Sequence, residues 1–64
     1  MVKINGELRD AAGKTVTAVL TELNYDLKRV AVERNGDIIP KSQYETTVIQ
    51  DEDALEVVSF VGGG

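Results

Sequence analysis

The group best placed for chemistry in this sequence is its terminal α-carboxylate, carried by the last of three glycines, Gly62, Gly63 and Gly64. These glycines directly follow the last strongly apolar run, residues 55–61. Three extended residues span about 10 Å, and residues without a Cβ fit a channel that any side chain would block. Such an arm could carry its carboxylate into the active site of another protein. The tail by itself favours the alternative, a frayed terminus or the remnant of an engineered linker.

The residue types that are missing exclude most enzyme mechanisms. The 64 residues include no Cys, His or Trp. Ser-His-Asp and Cys-His nucleophile systems, disulfides and thiolate metal sites are therefore excluded. The eleven Asp and Glu residues are scattered, and a chain this short rarely encloses a pocket of useful size. We expect no enzymatic activity, no metal site and no stably bound cofactor.

The net charge of −4 argues against nucleic acid or an anionic membrane as the partner. It suits a partner with a basic docking surface, and it equally suits a small protein that is merely kept soluble. No apolar stretch approaches the roughly 20 residues of a membrane span, and the first residues lack the layout of a signal peptide. We expect a cytoplasmic protein that is monomeric when free.

The first residues of the chain predict a hairpin. Val2 and Ile4 alternate with polar residues, as in a half-buried strand. Asn5-Gly6 is the strongest signal for a two-residue hairpin turn, because both central residues of a type I′ turn need positive φ. The short return strand should point Leu8 inward.

A helix is predicted after this hairpin. Thr15 is a suitable N-cap, and Asn24 suits the C-terminal end because it tolerates left-handed φ. An apolar stripe with the spacing i, i+3, i+4 and i+7 comprises Val16, Val19, Leu20 and Leu23. A helix of about ten residues is not stable alone in water, so it should lie on a sheet.

The second half of the chain predicts another hairpin. Residues 30–34 form a strand, Asn35-Gly36 is a turn of the same type, and Pro40 ends a short return strand, which suits a sheet edge. In the connection before this hairpin, Leu27 should plug into the core.

The segment between this hairpin and the last strand is irregular. Residues 41–44 should form a single turn, and Tyr44 and Val48 should anchor the segment to the core. Residues 51–53 form a turn, and the last strand runs over residues 54–61.

The resulting order is strand, strand, helix, strand, short strand, strand. One helix on one face of a mixed sheet of four to five strands is an α+β arrangement. The first and last strands can pair in parallel at the centre, because the hairpin and helix between them provide a crossover. This is the β-grasp, or ubiquitin-like, layout. We expect one domain over residues 1–61 and a flexible tail over 62–64.

The last strand has two different faces. Leu55 and Val57 should face the core under the helix, whereas Val58 and Phe60 should lie on the exposed face of an open sheet. Together with Val61, they would form a docking surface beside the arm, because exposed apolar patches often mark interaction sites. The alternative is that Phe60, the only Phe, folds back over a sheet edge.

Three segments, residues 30–40, 51–53 and 56–64, resemble the bacterial sulfur carriers of thiamin biosynthesis, the ThiS family of ubiquitin-like proteins. The resemblance covers essentially the whole chain. A Gly-Gly end alone is a weak signal. The same end at this length, after a β-grasp order and the segment Glu33-Arg34-Asn35-Gly36 with a following proline, is a fairly specific one.

This resemblance implies a co-substrate and not a catalyst. A ThiF-like adenylating enzyme would activate the carboxylate of Gly64 with MgATP, so that nucleotide binds the partner. Sulfur from a cysteine desulfurase system would then convert Gly64 to a thiocarboxylate, which would serve a ThiG-like thiazole synthase. Gly63 would complete the terminal pair, and Gly62 would extend the arm.

Two other functions remain open. The small subunit of molybdopterin synthase shares the fold and the Gly-Gly end but is usually longer. A passive ubiquitin-like interaction domain would have an idle terminus, so that deletion of Gly63 and Gly64 would leave its output intact. A third possibility, an RNA-binding β-grasp domain, lacks the basic face that it would need.

Overall fold

Five short strands and one α-helix make up the fold of the computed structural model, which describes residues 1–60. The elements are β1 (Val2–Ile4), β2 (Glu7–Arg9), α1 (Val16–Glu22), β3 (Val30–Arg34), β4 (Asp37–Ile39), a 3₁₀ turn (Lys41–Gln43) and β5 (Ala54–Ser59). They form one sheet in the order β2-β1-β5-β3-β4. β1 and β5 are parallel, and the other neighbours are antiparallel. The predicted α+β class and the central pairing of the first and last strands are confirmed.

Both predicted hairpin turns have the backbone that a type I′ turn requires. The φ angles are 52° at Asn5 and 83° at Gly6, and 51° at Asn35 and 89° at Gly36. Since the loops contain only two residues, they set the register of the strands on either side. Each turn is therefore flanked by a directly opposed pair, Ile4 with Glu7 and Arg34 with Asp37.

The prediction that Leu8 points inward is wrong, because 63% of this residue is exposed. The register of the first hairpin places Leu8 opposite Lys3, and directly opposed residues share one face of a sheet. Lys3 lies between the buried residues Val2 and Ile4, so its side chain is on the other face. Leu8 must follow Lys3 to that exposed face.

Local signals define both ends of the helix. The Oγ1 atom of Thr15 accepts a hydrogen bond from the backbone N–H of Ala18 at 3.1 Å. At the other end, Asn24 has a φ of 63°, and the N–H of Tyr25 donates to the carbonyl oxygen of Leu20 at 2.9 Å. This is the bond of a Schellman motif, which ends the helix at the residue with left-handed φ. The helix has seven residues, fewer than predicted.

The core lies between the helix and one face of the sheet. It contains the residues of β1 and β5 that were predicted to face inward, and Leu23 and Leu27 pack against it while partly exposed. Its buried members are Val2, Ile4, Ala11, Val16, Val19, Leu20, Val30, Val32, Ile39, Tyr44, Ile49, Leu55 and Val57. In the described part of the chain, no helix is long and apolar enough to span a membrane.

The irregular segment before β5 is anchored by Tyr44, as predicted, but not by Val48. Val48 is 42% exposed, whereas Ile49 is completely buried. The backbone of Ile49 bonds to Gly13 at 2.8 Å and to Lys14 at 2.9 Å, which holds this extended stretch against the loop before the helix. Because side chains alternate along extended backbone, the burial of Ile49 turns Val48 outward.

Candidate functional site

The strand that leads to the terminal glycines is the middle strand of the sheet. Its partner on one side is β1, with Ile4 opposite Leu55, and its partner on the other side is β3, with Val30 opposite Ser59. On the β3 side, the hydrogen bonding continues past the strand, since the N–H of Phe60 donates to the carbonyl oxygen of Arg29 at 2.7 Å. The backbone leading into the arm is therefore held as far as Phe60.

On the other side of β5, the side chain of Asn5 takes over where β1 ends. The backbone N–H of Asn5 donates to the carbonyl oxygen of Leu55 at 2.9 Å. Its Oδ1 then accepts from the N–H of Val57 at 2.7 Å, and its Nδ2 donates to the carbonyl oxygen of Val57 at 3.2 Å. The Asn-Gly pattern predicts Asn5 as a turn former alone and gives no sign of this contact.

The first residues of β5 are held by the asparagine of the second hairpin. Oδ1 of Asn35 accepts from the N–H of Ala54 at 2.9 Å, and its Nδ2 donates to Oδ1 of Asp53 at 3.1 Å. Asp53 is 9% exposed, and its Oδ2 accepts from the N–H of Gln50 at 2.9 Å. Each of the two turn asparagines thus binds one part of the same strand.

The two faces of β5 are as predicted. Leu55 and Val57 are buried, whereas Val58 and Phe60 are 51% and 58% exposed. The exposure of Val58 and Phe60 is thereby confirmed, and their role in docking stays a prediction. The predictions for Val61, Gly62, Gly63 and Gly64 lie outside the described residues.

Residues of β3 and β4 lie beside Val58 and Phe60 and complete an exposed surface. Ala31 is opposite Val58, and Glu33 is opposite both Glu56 and Ile38. We call this surface the tail face; its residues are Ala31, Glu33, Ile38, Glu56, Val58 and Phe60. Ile38 is 74% exposed. Glu33 and Ile38 were not predicted as site residues, although the two-residue turn at Asn35-Gly36 contains the signal, since it pairs them on one face.

The tail face carries negative charge at its centre. Glu33 and Glu56 are directly opposed on adjacent antiparallel strands, a position in which side chains interact and like charges are destabilising. Within residues 1–60, neither carboxylate forms an ion pair. The surface therefore offers two acidic groups among exposed apolar side chains, which is complementary to a partner with a basic group in an apolar surround.

A second exposed feature lies at the beginning of β5, away from the arm. Met1, Lys3, Leu8 and Ala54 line a surface cavity of about 410 Å³ together with residues 51–53. The hydrogen bond between the Met1 ammonium group and the Asp51 carboxylate raises the pKa of the former and lowers the pKa of the latter. In the described part of the chain, no three acidic side chains come together in a way that could hold a metal ion.

Comparisons with known proteins agree with the fold. The sequence profile of the ThiS family matches residues 2–64. The Bacillus subtilis protein named sulfur carrier protein ThiS is 41% identical over 68 residues, which cover the whole of both chains. A crystal structure of the thiamine biosynthesis protein ThiS from Geobacter metallireducens superposes with a TM-score of 0.76 at 31% identity, over 98% of this chain and 97% of that chain. This likeness confirms the predicted β-grasp fold.

A longer relative is named for an enzyme. The thiazole synthase of Paramagnetospirillum magneticum is 53% identical over 62 residues, which are 95% of this chain and 19% of that protein. The chain thus spans about a fifth of the length of this relative.

Proposed function

The chain belongs to the ThiS family, and we propose that it carries sulfur for thiamin biosynthesis as a thiocarboxylate on Gly64. The observation that supports this most strongly is the 41% identity to the sulfur carrier of Bacillus subtilis over the whole of both chains. A match of that extent includes the arm as well as the folded domain. The relatives that match from end to end are carrier proteins and not catalysts, so the chain itself is not an enzyme.

The chemistry requires activation of the terminal carboxylate, because a carboxylate is anionic and has no good leaving group. In the proposed sequence, a carboxylate oxygen of Gly64 attacks the α-phosphorus of ATP and pyrophosphate leaves. The terminal sulfur of a persulfide then attacks the acyl carbon and AMP leaves. A thiol cleaves the resulting S–S bond and is oxidised to a disulfide, which leaves the thiocarboxylate.

Two features of the sequence suit this chemistry. Since the chain has no Cys, it cannot hold transferable sulfur as a persulfide, and an acyl derivative of a carboxylate is the form that remains. Gly64 has no Cβ, so that both faces of the reacting carbonyl group are open to attack. The catalytic groups, ATP and Mg²⁺ belong to the adenylating enzyme in this proposal, and the carrier supplies only the acyl group.

We propose that the adenylating enzyme docks on the tail face, with Val61 as part of the same contact. Val58 and Phe60 provide apolar surface, and the opposed Glu33 and Glu56 would meet a basic group. Gly64 is four residues beyond Phe60, and four extended residues span at most about 14 Å. The α-phosphate of the bound ATP should therefore lie within about this distance of the groove that receives Phe60.

The second proposed partner is a thiazole synthase, which would receive the sulfur. A relative with that name contains a segment like this chain within a polypeptide about five times as long. Joining a carrier to an enzyme in one polypeptide raises their effective concentration toward each other, which is useful when the two act together. A cysteine desulfurase system is the proposed sulfur source, and the cytoplasm, where MgATP is available, is the proposed compartment.

Intact-mass analysis tests the proposal. The full chain is incubated with an adenylating enzyme of the ThiF type, MgATP, cysteine and a cysteine desulfurase. We expect a mass increase equal to the replacement of one oxygen by sulfur, located at Gly64 by fragmentation. The control is the chain without Gly63 and Gly64, which should fold and remain unmodified. An unchanged mass, with an enzyme and donor that modify an established carrier, would contradict the proposal.

A transfer assay separates the pathways that could use the thiocarboxylate. The modified chain is offered to thiazole synthase and, in a parallel reaction, to the large subunit of molybdopterin synthase. We expect loss of sulfur from Gly64 with thiazole synthase alone. Transfer only to the molybdopterin enzyme would keep the carrier chemistry and replace the proposed pathway.

A further inference from the structure

We infer that Asn5 is a positioning residue for the arm: its carboxamide acts as the next residue of β1 and holds β5 at Val57. The direction in which the chain leaves the sheet toward Gly64 is then set by the hairpin at the other end of the sequence. This inference rests on the proposed function for its consequence in the reaction. The contact itself is a property of the free protein.

The geometry at Asn5 is that of a continued parallel ladder. β1 cannot go on beyond Ile4, because the backbone enters the type I′ turn at Asn5, where φ is 52°. After Leu55, the next backbone groups of β5 that face β1 are those of Val57, two residues further along. A carboxamide has the same carbonyl oxygen and N–H donor as a peptide group, and it binds both Val57 groups, at 2.7 and 3.2 Å.

The carboxamide of Asn5 is itself fixed by the end of the helix. Its Nδ2 also donates to Oη of Tyr25 at 3.2 Å, and Tyr25 packs against the core while partly exposed. The N–H of Tyr25 completes the Schellman motif through Leu20. The first turn, the end of α1 and the last strand therefore meet at one side chain, which limits the rotamers that Asn5 can adopt.

Asn5 lies on the β1 side of β5, where no other backbone continues the pairing toward the arm. On the opposite side, β3 pairs with β5 up to Ser59, and Arg29 holds Phe60. If the Asn5 side chain is removed, Val57 loses both hydrogen bonds on its β1 side. The segment after Val57 would then move more freely, and a partner would have to order it again on binding, which weakens the complex.

Asn35 provides a matched control. It has nearly the same φ, 51°, occupies the same position in the same type of turn, and also makes two side-chain hydrogen bonds to the region of β5. Its partners, Asp53 and Ala54, are at the start of the strand, far from the arm. Glycine accepts positive φ without strain, so Asn5→Gly and Asn35→Gly should both keep their turns and lose only the side-chain bonds.

The test compares these two variants of the full chain with wild type. We expect Asn5→Gly to speed amide hydrogen exchange at Val57 and to raise the KM of the adenylating enzyme for the carrier about five- to tenfold, the factor for roughly one net hydrogen bond. The kcat should change less than twofold, because a loss of binding that is equal in the ground state and the transition state raises KM and leaves kcat unchanged. Asn35→Gly should leave both kinetic constants and the Val57 exchange near wild type, despite a similar loss of stability.

Two results would overturn the inference. One is an unchanged Val57 exchange rate in Asn5→Gly; the other is a KM that rises equally in both variants, which would mean that the loss tracks stability alone. If wild type is not adenylated at all, the proposed function fails. The positioning role is then tested by amide hydrogen exchange at Val57 and Ser59 in Asn5→Gly and wild type, a measurement that needs no enzyme.

Discussion

Asparagine at positions 5 and 35 combines two properties that no other residue type joins in the same way. It tolerates the positive φ of a type I′ turn, and its side chain carries both a donor and an acceptor. Glycine would form the same turns without holding β5, and Asp would lack the donor that reaches Val57 from position 5. Each of these two asparagines therefore both forms a turn and positions β5.

Phe60 provides the first test at the scale of single residues. Because Phe60 is 58% exposed, Phe60→Ala should change the free energy of unfolding by less than about 0.5 kcal/mol. Its complex with the adenylating enzyme should weaken by about 2 kcal/mol if Phe60 is an aromatic anchor of the interface. Urea denaturation and titration calorimetry measure the two quantities.

Leu8→Ala is the control for this substitution. Leu8 is exposed to a similar degree on the same side of the sheet but belongs to the cavity at the start of β5. It should affect neither stability nor affinity. Unfolding of Phe60→Ala at ordinary temperature would instead mean that Phe60 covers a sheet edge, and equal loss of affinity in both variants would mean that the docking surface is not confined to the tail face.

At the scale of elements, the helix covers one face of the sheet. A helix of seven residues is too short to persist alone in water. Its buried residues Val16, Val19 and Leu20 cover the core face of the sheet. Covering one face leaves the other exposed, so the position of α1 is the reason that the tail face is available to a partner.

The N-cap of the helix should therefore affect stability without affecting sulfur loading. Thr15→Ala removes the bond to the N–H of Ala18 and should lower the free energy of unfolding by about 1 kcal/mol. Thr21→Ala, an exposed substitution in the same helix, should change it by less than about 0.5 kcal/mol. Urea denaturation measures both.

The rate of thiocarboxylate formation per folded molecule should equal that of wild type in both threonine variants. A selective loss of rate in Thr15→Ala would show that the start of the helix takes part in docking, which the proposed use of the tail face does not allow.

At the scale of the whole molecule, stability comes from one small core without covalent support. Sixty-four residues with no Cys have neither a disulfide nor a thiolate metal site to reinforce them, and domains of this size are usually marginally stable. The buried residues come from every strand of the sheet except β2, and from the helix and the irregular segment. A change in one buried group should therefore be felt in the unfolding of the entire domain.

Tyr44 makes this dependence measurable as a function of pH. It is 4% exposed, and burial raises the pKa of its hydroxyl group above the usual value of 10.0. The folded state therefore holds the proton more tightly than the unfolded state. The resulting stability is fully present below the unfolded pKa, and it is lost as pH rises from there through the folded pKa.

We expect the free energy of unfolding to fall above about pH 10 in wild type and to fall less steeply in Tyr44→Phe. Urea denaturation of both proteins from about pH 8 to pH 11 measures their free energies of unfolding. Subtracting one pH profile from the other removes the contribution of the groups that the two proteins share. Parallel pH profiles for the two proteins would show that the Tyr44 hydroxyl group has the same pKa in the folded and unfolded states, which would contradict the prediction.

Most of the fold follows from local patterns in the sequence. The Asn-Gly pairs require positive φ, the apolar stripe of the helix has its own period, and Leu55 and Val57 fall on one face of a six-residue strand. Each pattern is decided within a few residues. The errors at Leu8 and Val48 arise where a stretch is too short for alternation to indicate which face is buried, so that the neighbouring backbone decides.

The sequence by itself determined the chemistry that is possible, because a chain without Cys or His has few reactive groups besides its terminal carboxylate. It also determined which face of β5 is exposed, through alternation along a single strand. Only the tertiary structure decided what surrounds that strand: the hydrogen bonds between Asn5 and Val57, 52 residues apart, and the opposition of Glu33 and Glu56. Such contacts depend on which strands are neighbours and in which register, and these are properties of the packed sheet that no local pattern contains.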